Sequence, residues 1–265
     1  MSRIKARFAQ IKQQNKKALI PFFTAGDPSP ALTVPLMHAL VAAGADIIEL
    51  GVPFSDPMAD GPTIQRSSER ALLHKVCLKD ILGMVREFRK QNSTTPVVLM
   101  GYANPVEAMG YEKFASDAQA AGVDGVLTVD YPPEECGEFL ACLTQHELDP
   151  IFLLSPTSVD ARVAAVAKAA RGFVYYVSLK GVTGAANLDL AEVKARLAKL
   201  RKQISLPLGV GFGIRDGAMA KAMAEFADAV VIGSRIVQEI ESAPADQVMA
   251  RVGALVKSIR TAMDS

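Results

Sequence analysis

Cysteine and histidine are scarce, three of each in 265 residues, and tryptophan is absent. Cys77, Cys136 and Cys142 form no CxxC pair, and an odd count is not a complete disulfide framework. His38, His74 and His146 have no HExxH spacing, so neither zinc chemistry nor any other metal site is expected. A surplus of charge is missing too. The 29 Lys and Arg stand against 28 Asp and Glu, leaving a net charge of +1. So neutral a chain lacks the basic field on which nucleic-acid binding depends. No stretch approaches 18 uninterrupted apolar residues, which argues against a membrane-spanning helix. The run Gly209-x-Gly211-x-Gly213 lacks the third glycine of a dinucleotide fingerprint, and no GK[ST] motif is present.

What is present is a chain 50% apolar and 22% charged, able to bury a large core. At ~150 residues per domain its length corresponds to about 1.8 domains, which admits two small domains or one large α/β barrel. Residues 1–17 carry six basic side chains and no acid. That composition fits an organellar transit peptide, or an amphipathic helix whose Ile4, Phe8 and Ile11 pack on the core. The helix is the better reading, because a strand-like run starts at Ala18 with no spacer. With no secretory apolar region either, the expected compartment is the cytoplasm.

Eight short apolar runs recur, at 18–24, 46–51, 96–101, 125–130, 150–154, 173–178, 207–211 and 228–233. Near-continuous apolar character is the mark of parallel strands covered on both faces. Helical sequence lies between them, as in 30–43 ending at Gly44 and 111–121 ending at Gly122. The junctions repeat: AAGADIIEL, AAGVDGVLT and FADAVVIGS each run from helix end through Asp into a strand. A period of roughly 30 residues per βα step, with no linker, predicts one (β/α)8 TIM barrel domain over residues 1–265. An extra helix is expected at the amino terminus and a short one after the eighth strand.

In such a barrel, polar residues at the carboxyl ends of strands read as function. Glu49 interrupts an apolar strand, where a carboxylate is costly to bury and its pKa rises toward acid/base use. The following Pro53–Pro62 loop holds Asp56 and Asp60, which physics alone does not rank. Turn and capping chemistry would explain them equally well. Glycines gather after strands six, seven and eight, at 181 and 184, 211 and 213, and 233 ahead of Ser234. Backbone N–H groups there suit a phosphate. Residues alone thus reach a phosphate-binding barrel enzyme with carboxylate chemistry and no metal. Isomerase, epimerase and aldol-type lyase all remain open.

The segment ELGVPFSDPMADGPTIQ (49–65) resembles the signature of the tryptophan synthase alpha subunit family. The likeness extends through PFFTAGDP (21–28), MGYANPVE (100–107), PPEE (132–135), KGVTGA (180–185), GFGI (211–214) and IGS (232–234). It implies cleavage of indole-3-glycerol phosphate to indole and glyceraldehyde 3-phosphate, a retro-aldol lyase reaction without cofactor. By resemblance, Glu49 is the general acid/base, Asp60 binds the ring N–H, and Tyr175 lies near the reacting side chain. Amides of Gly184, Gly213, Gly233 and Ser234 would hold the phosphate. Phe22, Met100, Tyr102, Val129, Thr183 and Phe212 would line the indole pocket. The family's partner is a pyridoxal-phosphate beta subunit in a tetramer of two alpha and two beta chains. Pro53, Asp56, Pro57, Asn104 and Pro132 at the barrel mouth would face it, and a barrel acting mainly as an activating subunit stays an alternative. Segments 53–60 and 179–191 are expected to close on substrate. Tyr131 and Met100 depart from the leucines usual at those positions, so a slightly altered pocket is expected.

Overall fold

Apolar runs that look continuous in sequence separate into two alternating sets once folded. In the computed structural model, which describes residues 2–177, 190–211 and 213–265, the chain opens with α1 (Arg3–Gln13), β1 (Ala18–Thr24), α2 (Pro30–Ala42) and β2 (Ile48–Gly51). It continues through α3 (Pro62–Leu73), α4 (Leu78–Arg89), β3 (Val97–Gly101), α5 (Ala103–Met109), α6 (Tyr111–Ala121) and β4 (Gly125–Thr128). Then come α7 (Gly137–Gln145), β5 (Asp149–Leu154), α8 (Asp160–Ala169), β6 (Val174–Val177) and α9 (Leu190–Leu200). The last elements are β7 (Leu208–Gly211), α10 (Gly217–Ala224), β8 (Ala229–Ile232), α11 (Ser234–Ser242) and α12 (Val248–Asp264). Seven of the eight predicted runs contain their strand, and β5 starts one residue before its run, at Asp149. The strands pair in parallel in sequence order, and β1 closes on β8 from Ala18↔Ala229 to Pro21↔Ile232.

Alternation along each strand sorts the side chains. Ile20, Val98, Leu127, Ile151 and Val231 pack together inside the barrel. Leu19, Phe23, Leu50, Leu99, Tyr176 and Val230 face the surrounding helices. The amino-terminal helix α1 lays Ile4, Phe8 and Ile11 against the interior set, so the basic segment is a core element with a charged outer face. Among the described residues, no helix is long and apolar enough to cross a membrane.

The repeated junction aspartates turn out to build the amino-terminal rim. Asp46 accepts the Leu19 N–H at 2.8 Å and pairs with Arg7 at 2.6 Å and Arg260 at 3.2 Å. Asp124 accepts the Val97 N–H at 2.8 Å and pairs with Arg89 at 2.7 Å and Arg3 at 2.8 Å. Asp228 accepts the Leu208 N–H at 2.9 Å and pairs with Arg201 at 2.9 Å. Each carboxylate supplies a hydrogen-bond partner at the start of the preceding strand, where no ladder bond is available. Arg3 and Arg7 explain part of the basic amino terminus.

This rim should matter for stability and not for chemistry. Asp124→Ala would leave Arg89, only 11% exposed, without its carboxylate, and losing one partner of a buried pair costs about 3–5 kcal/mol. Chemical denaturation at neutral pH should show a loss of that size, while the folded fraction keeps normal turnover per molecule.

Candidate active site

Between Ile48 and Leu50, which face the helices, strand alternation turns Glu49 into the barrel. Its carboxyl is 1% exposed, and neither Oε1 nor Oε2 has a hydrogen-bond partner among the described residues. Burial, then the nearby charge of Asp60, push its pKa to about 8. On β6, Tyr175 is 5% exposed. Burial raises its pKa well above the ordinary tyrosine value, with the Glu49 and Asp60 charges adding to the effect. The phenol therefore keeps its proton and is a hydrogen-bond donor, not an acid. Its space is made by Gly211 on β7, where a Cβ would fall 2.1 Å from the Tyr175 hydroxyl oxygen. The glycine predicted to admit a ligand here admits a tyrosine instead.

Geometry now ranks the two loop aspartates. Asp56 is exposed and accepts a 2.5 Å hydrogen bond from the Ser55 hydroxyl. Asp60 is half-buried, and burial raises its pKa. Its Oδ2 accepts a 3.0 Å hydrogen bond from the Tyr102 hydroxyl, which in turn accepts the Ala59 N–H at 3.0 Å. The Tyr102 ring stacks on Phe54 at 5.1 Å. The helix α3 has Gly61 at its N-cap and no side-chain cap bond, so Asp60 is not spent on capping.

These side chains share a cavity of about 430 Å³ at the carboxyl ends of the strands, within the usual size of small-molecule sites. Phe22, Glu49, Asp60, Met100 and Tyr175 form one part of its wall, and Gly213, Gly233 and Ser234 another. Gly213 has φ +77°, a left-handed conformation that disfavours other residues, and open space where a Cβ would project. Gly233 is the N-cap of α11, which presents its first N–H groups at this corner. Tyr102 and Val129 stand behind the main cavity, around a small side void shared with Phe22, Asp60 and Met100. Thr183, Gly184 and Phe212 lie outside the described residues, as does most of the 179–191 segment.

Sequence reasoning missed Ile64, Ile214, Arg215, Val231, Arg235 and Gln238, which also line the cavity. Val231 follows from alternation in β8, and Gln238 from its i+4 spacing to Ser234 on α11. Arg215 and Arg235 carry no such signal; the expectation is a phosphate corner that rests mostly on backbone N–H groups. At the rim, Pro53 is buried, Pro57 and Pro132 are half-buried, and Asn104 is exposed. Tyr131 does not reach the cavity: its hydroxyl hydrogen-bonds that of Tyr111 and its ring packs on Phe139.

An ion-pair network braces the two helices flanking the cavity. Arg66 of α3 grips Glu241 of α11 through two bonds of 2.8 and 2.9 Å. Arg70 reaches Glu241 at 2.8 Å and holds the fully buried Asp27 at 2.7 and 2.8 Å.

The family profile described as "Tryptophan synthase alpha chain" matches residues 8–264. The tryptophan synthase alpha chain of Nitrosomonas europaea is 65% identical over 265 residues, covering 100% of this chain and 96% of that one. The one from Thiobacillus denitrificans is 66% identical, covering 100% and 97%. Among solved structures, tryptophan synthase subunit alpha from Legionella pneumophila superposes with a TM-score of 0.94 at 46% identity, covering 100% of this chain and 99% of that one. A chain of tryptophan synthase from M. tuberculosis, in an aminoacrylate-bound form, gives 0.89 at 36% identity over 99% and 100%.

The buried carboxyl makes a prediction about stability. Glu49 has a folded pKa near 8 against 4.5 for the ordinary group. Below 4.5 both folded and unfolded chains are protonated there, and its burial carries no ionisation penalty. As pH rises from 4.5 to about 8, the unfolded chain ionises first and this site loses about 1.4 kcal/mol of stability per pH unit. Glu49→Gln removes that dependence. Denaturation of both proteins across pH 4.5–8 should show the variant gaining on wild type steadily and levelling off above 8.

Proposed function

We infer what each residue does from one premise: the chain belongs to the tryptophan synthase alpha chain family. It is a lyase of tryptophan biosynthesis that cleaves indole-3-glycerol phosphate to indole and glyceraldehyde 3-phosphate. Glu49 in its neutral form delivers a proton to the ring carbon that bears the glycerol chain. Asp60 accepts a hydrogen bond from the ring N–H and offsets the positive charge that this protonation creates. The resulting Glu49 carboxylate takes the proton of the adjacent side-chain hydroxyl. Carbon–carbon bond cleavage returns an electron pair to the ring and leaves an aldehyde on the phosphorylated fragment. Tyr175 lies beside the reacting chain, and Gly213, Gly233 and Ser234 take the phosphate on backbone N–H groups. Tyr102 acts through Asp60, by fixing its carboxylate.

The observation that carries this reading is the Glu49 carboxyl, buried, unpartnered among the described residues and on the cavity wall. A neutral acid near pH 7 that becomes a base after giving up its proton is what a two-proton retro-aldol step requires. The test is release of indole from indole-3-glycerol phosphate by the purified chain. Glu49→Gln should lower turnover by roughly 10²–10⁴, the usual worth of a general acid/base. Because the acid must be protonated, wild-type kcat/KM should fall as pH rises through about 8.

We also propose that a pyridoxal-phosphate beta subunit docks on the barrel mouth, in a tetramer of two alpha and two beta chains. Supporting this are the exposed Asp56 and Asn104, the half-buried Pro57 and Pro132, and Met58, which is 78% exposed on the same loop as Asp60. Pro53 is buried and serves the loop's own packing. Docking would set the position of Asp60 and raise turnover by shifting the loop population. Lyase assays with and without the cognate beta subunit should show stimulation, and Asp56→Ala should weaken that stimulation more than the basal rate.

A further inference from the structure

The cavity is electrically lopsided. Glu49 and Asp60 line it, and so do two arginines, Arg215 and Arg235, which stand close in the chain to the glycine-corner residues Gly213 and Ser234. The two arginines are not equivalent. Arg235 is engaged by Glu239 at 2.8 Å, and Glu239 is shared with Arg251 at 2.6 Å. Arg215 is exposed and has no ion pair or hydrogen bond among the described residues. Its backbone is nevertheless pinned on both sides. Ile214 is 5% exposed and packs in the core, and Asp216 caps α10 by accepting the Met219 N–H at 2.9 Å. A cation on a fixed stem, lining the cavity and serving no partner among the described residues, is available to act on a ligand.

We propose that Arg215 determines specificity for a phosphorylated substrate by attracting and orienting its phosphate. The proposal rests on the assignment of the phosphate to the Gly213, Gly233 and Ser234 corner. A helix N-terminus offers about half a positive charge, which leaves most of a phosphate dianion uncompensated in a cavity that already holds two carboxyl groups. The Arg215 guanidinium supplies the missing charge and turns the anionic end of the substrate away from Asp60. Because the side chain is exposed, it acts on capture and orientation, through a field that salt screens, and not on the bond-breaking step.

The test is steady-state kinetics of Arg215→Gln and Arg215→Lys in the full chain, with indole-3-glycerol phosphate as substrate and glycerol 3-phosphate or indole as inhibitors. Arg215→Gln should lower kcat/KM by about tenfold at low salt with kcat unchanged, and the difference should vanish near ~0.5 M salt. Arg215→Lys should keep most of the wild-type value. Inhibition by glycerol 3-phosphate should weaken in step with kcat/KM, while inhibition by indole stays the same. An unchanged kcat/KM and salt dependence in Arg215→Gln would overturn the proposal, as would equal weakening of both inhibitors. Gly213→Val, measured alongside, separates the two layers. If it weakens glycerol 3-phosphate and Arg215→Gln does not, the role of Arg215 alone is wrong. If neither variant does, the phosphate corner itself is misplaced.

Discussion

Holding one carboxyl group inside an apolar barrel, with no hydrogen-bond partner among the described residues, is the constraint around which the rest is arranged. Ionised and isolated, Glu49 would be prohibitive to bury; neutral, it is tolerable, and its pKa moves to about 8 to make it so. At pH 7 the folded chain still gives up about 3 kcal/mol against an unfolded chain free to ionise there. Native stability is only about 5–15 kcal/mol, so the deficit must be met elsewhere. A closed parallel barrel has the means. Every strand has two neighbours, one apolar set fills the interior and another binds the helices.

The junction aspartates of the amino-terminal rim and the two acids of the cavity are held in opposite ways. At the amino-terminal rim, Asp46, Asp124 and Asp228 each accept a strand N–H and pair with at least one arginine. At the carboxyl rim, Glu49 has no partner among the described residues and Asp60 has a single phenol. A fully satisfied carboxylate is inert, because its oxygens are already occupied by fixed donors. An unsatisfied one has lone pairs to offer and a proton to exchange. The same chemical group thus suits stability or the proposed proton transfer according to how many donors surround it.

That contrast also marks what could be read from sequence. Eight apolar runs with one period were enough for the barrel, since burial on both faces leaves an unmistakable pattern. Glu49 stood out as a charge where such a pattern forbids one. The ranking of Asp60 over Asp56 did not follow from residue types, because it depends on the path of a loop without periodicity and on Tyr102 some forty residues away. The junction aspartates repeated visibly, yet their bonds to preceding strands are contacts between distant segments. Gly211 shows the same limit: a glycine announces close approach but not of what, and here the approaching group is the Tyr175 hydroxyl. Arg215 and Arg235 were invisible for a simpler reason. A surface arginine has no sequence context that separates a solvated side chain from one lining a cavity.

The Asp27–Arg70–Glu241–Arg66 network shows how the site stays assembled around so costly a centre. The helix that follows the Asp60 loop is α3, and the helix that presents amides at the glycine corner is α11. They are tied through Glu241 by two arginines, one of which is anchored on a buried aspartate beside β1. Surface ion pairs contribute little singly, about 0–1 kcal/mol, and the worth here lies in geometry. Bidentate guanidinium–carboxylate contacts fix distance and angle together. A substrate whose ring is read by Asp60 and whose phosphate is read at α11 spans both helices. Relative motion between them would therefore misplace one end whenever the other is bound. Positioning errors near 1 Å can cost about 10²-fold in rate. In the proposed reaction the network would keep the ends in register, so that the Glu49 carboxyl, unsatisfied among the described residues, meets the reacting carbon and not the solvent.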